Sequence, residues 1–146
     1  MASYPTLPQG SLNRAAVSVT FPNEDGYDIK PEHLGAEMVS ISFTSPAAVQ
    51  YPTATGLVTS LSVFQSVQVT IHLLRTQTLA AKFETRRQTN SAFDTMVVRG
   101  DATNMAPWTY QTMVLTNIDP MNLNGTEPGY VLQFTGKYLV NSDMFA

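Results

Sequence analysis

The sequence predicts a mainly β chain, an antiparallel sandwich or open barrel with one α-helix packed on it. Between Leu57 and Leu73 every odd position except Thr59 and Gln65 is aliphatic, and the even positions are largely polar. That two-residue period is extended chain with one apolar face. Shorter runs of the same alternation lie on both sides of it. Only one stretch, Thr78 to Thr89, changes to three- and four-residue spacing, the period of a helix.

Taken in order, residues 1–12 form an N-terminal arm, and Ala15, Val17, Val19 and Phe21 alternate with polar or small neighbours as a first strand that Pro22 stops. Residues 22–35 make an extended acidic loop around Asn23-Glu24-Asp25-Gly26-Tyr27-Asp28. In the second strand Glu37, Val39, Ile41 and Phe43 share one face while Met38, Ser40, Ser42 and Thr44 share the other, and Ser45-Pro46 ends it. The Pro, Ala, Thr and Gly content of residues 45–56 predicts another exposed loop.

The run from Leu57 to Leu73 would span about 55 Å unbroken, roughly three times a typical strand. It therefore either folds back as a hairpin near Phe64, Gln65 and Ser66 or projects as a ribbon whose open edges need partners. Beyond it Thr76 or Thr78 can cap a helix over Thr78–Thr89, in which Leu79, Ala80, Phe83 and Arg87 recur on one side and Asn90-Ser91 closes the end. The stripe is narrow, which suits a helix lying on a sheet. Strands resume at Thr95–Arg99, Trp108–Ile118 and Tyr130–Val140, with Gly136 marking a bulge or a close backbone approach.

Composition bounds the class. The 146 residues, 43% of them hydrophobic, can bury one core, so one domain over 1–146 is expected. Charged residues are 13%, about half the usual share, and the net charge is −3. A polar surface so weakly self-repelling suits subunits that pack against one another. There is no cysteine, which removes disulfide, thiolate-metal and thiol redox chemistry. No basic stretch leads into an apolar core at Met1–Gln9 and no eighteen apolar residues run together. Synthesis in the cytoplasm and no membrane span are the expectation.

Catalytic signatures are missing, so no enzyme and no cofactor are expected. His33 lies in the acidic loop and His72 on the polar face of the long run, and neither has catalytic companions in sequence. No G-x-S-x-G elbow or phosphate-cradling glycine loop occurs. A calcium loop centred on Gly26 would use Asn23, Asp25 and Glu32 but would begin at Phe21, which cannot ligate. Asn124-Gly125-Thr126 fits a glycosylation acceptor and better fits a tight turn. A pI near 5.2, with bases not interleaved with aromatics, argues against tight nucleic-acid binding.

Charge is unevenly placed. Five of eleven acids (Glu24, Asp25, Asp28, Glu32, Glu37) fall within fourteen residues, and four of eight bases (Arg75, Lys82, Arg86, Arg87) fall in or beside the helix. The alternatives are two solvated surfaces or a complementary contact between subunits. The second reading nominates Glu24, Asp25, Asp28 and Glu32 against Lys82, Arg86 and Arg87.

The segment Leu73-Leu74-Arg75-Thr76-Gln77-Thr78-Leu79-Ala80-Ala81-Lys82-Phe83, which opens a lone helix after long alternating strands, resembles the tail tube proteins of contractile-tailed bacteriophages. Gly125 to Gly136 is similar in character to their final hairpin strand. The resemblance covers roughly Asn13 to Phe145 and rests on organisation. It implies a virion structural protein of the tail, with hexameric rings in which four strands per subunit join a continuous inner β-barrel. Ring closure would remove the open edges. It further implies stacked rings, a contractile sheath outside, a baseplate hub and tail terminator at the ends, tape measure protein inside, and viral DNA in transit without tight binding.

On that reading Ser60, Ser62, Gln68, Thr70 and His72 face the lumen, while Leu61, Val63, Val67, Val69 and Ile71 face the core. The loops Phe21–Leu34 and Ser45–Gly56 then carry inter-ring contacts. A baseplate-proximal tube initiator or paralogous ring is an alternative. So is a carbohydrate-binding or adhesive β-sandwich using Tyr51, Trp108, Tyr110 and Tyr130. A small hydrolase or isomerase is disfavoured by the absent motifs.

Overall fold

The computed structural model describes residues 9–145, so residues 1–8 of the expected N-terminal arm lie outside the described residues. In chain order the strands are β1 (Ser18–Thr20), β2 (Leu34–Phe43), β3 (Ala48–Pro52), β4 (Leu57–Leu61) and β5 (Phe64–Leu74). Helix α1 (Thr78–Thr89) follows, then β6 (Ala92–Arg99), β7 (Trp108–Ile118) and β8 (Gly129–Leu139). Six strands build one antiparallel sheet in the order β1-β6-β7-β8-β5-β2, curled into a half-barrel, while β3 and β4 pair apart from it. This is the mainly β open barrel with one helix that the alternation predicts.

Strand β5 is the spine. It pairs along its whole length with β8, from Phe64 opposite Leu139 to Leu74 opposite Gly129, and on its other side with β2. Its odd residues Val67, Val69, Ile71 and Leu73 are buried, and Gln68, Thr70 and His72 lie half-buried on the reverse face. Helix α1 closes the core side by inserting Leu79, Ala80 and Phe83. The Phe83 ring meets Phe21, Tyr27, Phe93 and Phe134 at centroid distances of 5.3–6.3 Å. Each such buried ring contributes about 1.5–3 kcal/mol by leaving water. That burial, and not capping, fixes the helix. Gln77 occupies the N-cap with no side-chain bond, so neither Thr76 nor Thr78 caps it, and Arg87 leaves the expected stripe to sit exposed. Asn90 ends the helix as its sequence predicts.

Residues 45–56 are not all loop. Ala48–Pro52 forms β3, leaving residues 45–47 and the four-residue turn closed by Thr53 N–H donating to Gly56 O (2.7 Å) irregular. Local composition loses here to strand pairing with β4, and Pro52 is tolerated at a position whose missing N–H faces away from the partner. The long run breaks at Ser62-Val63, just before the predicted site, yet it does not fold back on itself. Instead β4 pairs with β3 and β5 with β2, so β2–β3 and β4–β5 form the two sides of one long hairpin.

A joint interrupts this hairpin. Phe43 lies opposite Val67 and Ala48 opposite Leu61, so the register slips by one residue between the two ladders. Ser45 holds the joint by accepting from Ser66 N–H at Oγ (2.7 Å) and from Gln65 Nε2 at its carbonyl (2.9 Å). Asn141, at a positive φ of 53°, donates its amide to Ala47 O (3.0 Å) and Ser62 O (2.8 Å), tying both strands to the end of β8. Beyond the joint the core is out of reach, and Leu61 and Val63, expected inside, are 45% and 42% exposed.

Gly136 is a close approach, as expected. Strand β7 carries a register shift between Gln111 and Val114, which presses its backbone onto β8. A Cβ at Gly136 would lie 2.8 Å from Gln111 O and collide with Met113 Sδ.

Candidate assembly surface

The β3–β4 hairpin is an arm with no core beneath it. Between Glu37 and His72 there is no charged residue at all. Cross-strand register puts Leu57 with Pro52 and Leu61 with Ala48 on one face, and Val58 with Tyr51 and Ser60 with Val49 on the other. Both faces are therefore apolar. Tyr51, Leu57, Val58 and Leu61 are exposed along it, and Phe43, Val63, Phe64 and Leu139 are exposed where it leaves the sheet. An isolated two-stranded ribbon is marginal in water, and exposed apolar surface on this scale marks a contact site.

Behind the core, the sheet presents a polar face. Gln68 lies between Ser42 of β2 and Thr135 of β8, and Thr70 between Ser40 and Gln133. Charge on this face comes from Lys137 opposite Ser66, Arg99 opposite Ser18, Asp119, which accepts from the Gln133 amide, and Glu37, whose Oε2 lies 3.5 Å from His72 Nδ1. Gln68, Thr70 and His72 thus share one patch. Ser60 lies on the arm and Ser62 in the joint, so the fold gathers three of the five nominated lumen residues on the sheet and places two beyond it.

The acidic loop and the basic helix meet inside one chain. Arg86 grips Glu24 with two hydrogen bonds of 2.6 and 2.9 Å, and Lys82 Nζ donates to Gly26 O at 2.8 Å. The Arg86 guanidinium also stands 4.9 Å from the Phe93 ring and 5.8 Å from the Tyr27 ring, so the pair is part of the aromatic plug. Arg87 bonds Glu84 at 2.6 Å, and the Tyr130 hydroxyl donates to the same carboxylate. The Arg87 hydrogen bond, followed by that of Tyr130, holds the Glu84 carboxyl below its ordinary pKa. Burial, reinforced by Glu84, pushes the Tyr130 phenol up. Of the nominated contact residues, Glu24, Lys82, Arg86 and Arg87 are engaged within the subunit, as is Asp28, which accepts from Phe21 N–H at 3.4 Å, while Asp25 and Glu32 are exposed on the loop.

The remaining motifs resolve as structure. Asn124 Oδ1 accepts from Thr126 N–H (3.0 Å), Thr126 Oγ1 (2.8 Å) and Glu127 N–H (3.3 Å), with Gly125 at a φ of 79°, an Asx-type turn. Arg75, which the charge pattern grouped with the helix, instead binds the carbonyls of Asn122, Glu127 and Gly129 and so pins the β7–β8 loop. His33 Nδ1 accepts from Lys30 N–H at 3.2 Å. Of the four aromatics nominated for carbohydrate, Tyr110 and Tyr130 are buried and Trp108 is half-buried, leaving Tyr51 exposed.

Among the described residues no three His, Asp or Glu side chains gather in a metal-binding arrangement, and no helix is long and apolar enough to cross a membrane. A cleft of about 460 Å³ opens between the β1–β6 end of the half-barrel and β2, lined by Val39, Ile41, Val98, Arg99 and Trp108 among others. From sequence, the long run offers a projecting ribbon and Ser45–Gly56 is nominated for contacts, but Ala48–Pro52 is missed as a strand of that ribbon and the uncharged span from Met38 to Ile71 goes unused. No protein-family model matches the chain, and no curated protein sequence matches it.

Proposed function

We propose that this chain is a structural subunit of a phage tail tube, polymerising as stacked hexameric rings around a channel for the genome. The observation that carries the reading is a curled sheet with a polar face that runs on into an uncharged, apolar arm. A wall that DNA passes without sticking calls for the first, and a subunit that must be completed by its neighbours calls for the second. Gln68, Thr70 and His72 are the lumen residues of this reading. Sheath, baseplate hub, tail terminator and tape measure protein are the partners it implies.

Electron microscopy of the purified chain at high concentration tests it. Hollow rods of constant width are expected. Monomers that persist at every concentration would end the proposal, and rings that never stack would move it to a baseplate-proximal initiator.

A further inference from the structure

The concave side of the half-barrel is filled at one end only. Helix α1 plugs the end where Phe21 follows β1 and Phe93 lies near the start of β6, through Phe83 and the rings around it. At the other end Val17, Val39, Ile41, Val98 and Trp108 line the open cleft of about 460 Å³, a size within the roughly 300–1,000 Å³ of pockets that hold a ligand. Val39, Ile41 and Trp108 are only half-buried there, whereas Phe21, Phe83 and Phe93 under the helix are closed off.

The N-terminal part of the chain starts from the rim of this cleft. Asn13 N–H donates to Asp101 O (2.9 Å), and Arg14 and Asp101 both line the opening. The residues before this anchor begin Met1-Ala2-Ser3-Tyr4-Pro5-Thr6-Leu7-Pro8. We propose that Tyr4 and Leu7 seat in the cleft of their own subunit, over Trp108, as the second plug of the half-barrel.

Reach, chemistry and stiffness select this occupant. The six residues from Asn13 back to Leu7 span at most about 20 Å from an anchor already on the rim, and Gly10, at a φ of 84°, lets the chain reverse. Residues 1–13 carry no charged side chain, so the apolar floor strips water from no charge when they dock. The charged residues of the lining, Arg14 and Arg99 with Glu37 and Asp101, are two of each sign and so favour neither an anionic nor a cationic ligand. Proline after each of Tyr4 and Leu7 favours extended backbone at both, and at three residues per turn the two side chains fall on one edge about 9 Å apart. Such segments dock in aromatic-lined grooves at low entropic cost. Another copy has the same chemistry, but a short tether holds the chain's own segment at an effective concentration of about millimolar. Docking of this kind is independent of whether rings form.

A chain with no cysteine and one tryptophan permits a direct test. A nitroxide on Ser3→Cys is read by its quenching of Trp108 emission, with a nitroxide on Gln88→Cys, exposed at the helix-plugged end, as the control. Strong quenching from position 3 and little from position 88 are expected, unchanged on dilution. Adding Tyr4→Ser or Leu7→Ser should lower the docked-to-undocked ratio by about tenfold or more, the worth of one buried side chain of that size. Ala36→Arg, on the exposed wall of the cleft, should do the same from the other side, and circular dichroism checks that each variant folds.

No quenching from position 3, or equal quenching from both positions, would overturn the proposal. So would quenching that survives Tyr4→Ser and Leu7→Ser, whatever Ala36→Arg does to the fold. Quenching that appears only as concentration rises would seat the segment in another copy and overturn it as well.

Discussion

Replacing Tyr110 by Phe should stabilise the protein. The Tyr110 side chain is fully buried on β7, with its ring 5.6 Å from that of Tyr138, yet its hydroxyl has no hydrogen-bond partner among the described residues. In the unfolded chain that hydroxyl is hydrated. Burying one without compensation costs about 1–3 kcal/mol on mutational scales. Phe keeps the ring and its apolar contacts and removes only the oxygen, whose lost dispersion amounts to a few contacts of about 0.1–0.2 kcal/mol each. The net gain is about 1–2 kcal/mol, or a rise in Tm of roughly 2–8 °C for a chain of this size.

Urea unfolding followed by the fluorescence of Trp108, the single tryptophan, reads this directly. The midpoint should rise with an unchanged slope. Burial, followed by the neighbouring Tyr138, also pushes the Tyr110 phenol up. The folded chain therefore holds that proton after the unfolded chain has released it near pH 10, and stability falls as pH rises beyond that point. The Phe variant should lose part of this alkaline sensitivity. Destabilisation by 1 kcal/mol or more, about the worth of one hydrogen bond, would mean the hydroxyl is satisfied after all and would refute the reasoning.

Other outcomes follow from the same geometry. Gly136→Ala should lose about 1–3 kcal/mol in urea unfolding, because the added methyl meets the Gln111 carbonyl and the β7 backbone cannot withdraw. Arg86→Met should lose about 2 kcal/mol and speed hydrogen exchange in residues 22–28, since Glu24 is then left half-buried without its partner; unchanged exchange would show that Tyr27 and the Lys82–Gly26 hydrogen bond hold the loop without it. Val69→Asp should abolish the folded circular-dichroism signal while Gln68→Lys keeps it, one side chain being inside and the next on the polar face. The Glu84 carboxyl, depressed by Arg87, adds stability that is present above its unfolded pKa and is lost as pH falls through the lower folded one. Acid titration of Glu84→Gln should accordingly lack that part of the loss.

Period-two alternation located β5 and β8 and named Val67, Val69 and Ile71 of β5 as core residues, because that face of the sheet rests on a single core. The same pattern misassigned Leu61 and Val63. Alternation records that a strand has two faces but not what lies against them, and past the joint nothing does. Strand β3 was hidden for another reason: Val49 and Tyr51 favour a strand, but Pro46, Pro52 and Gly56 around them signal loop, and pairing with β4 decides between the two. Charge clustering singled out Glu24 and Arg86 as candidates for a contact between subunits, yet a sequence cannot say whether two clusters meet within a chain or between chains. The geometry assigns that pair to one subunit.

The uncharged span between Glu37 and His72 has a thermodynamic corollary. A contact made through the arm has almost no Coulomb energy for salt to screen, so raising sodium chloride should scarcely weaken it. Its driving force is removal of Tyr51, Leu57, Val58 and Leu61 from water, which near room temperature is entropic and fades on cooling. Assembly by this arm should loosen in the cold, tighten on warming, and respond to sulfate as to an added attraction.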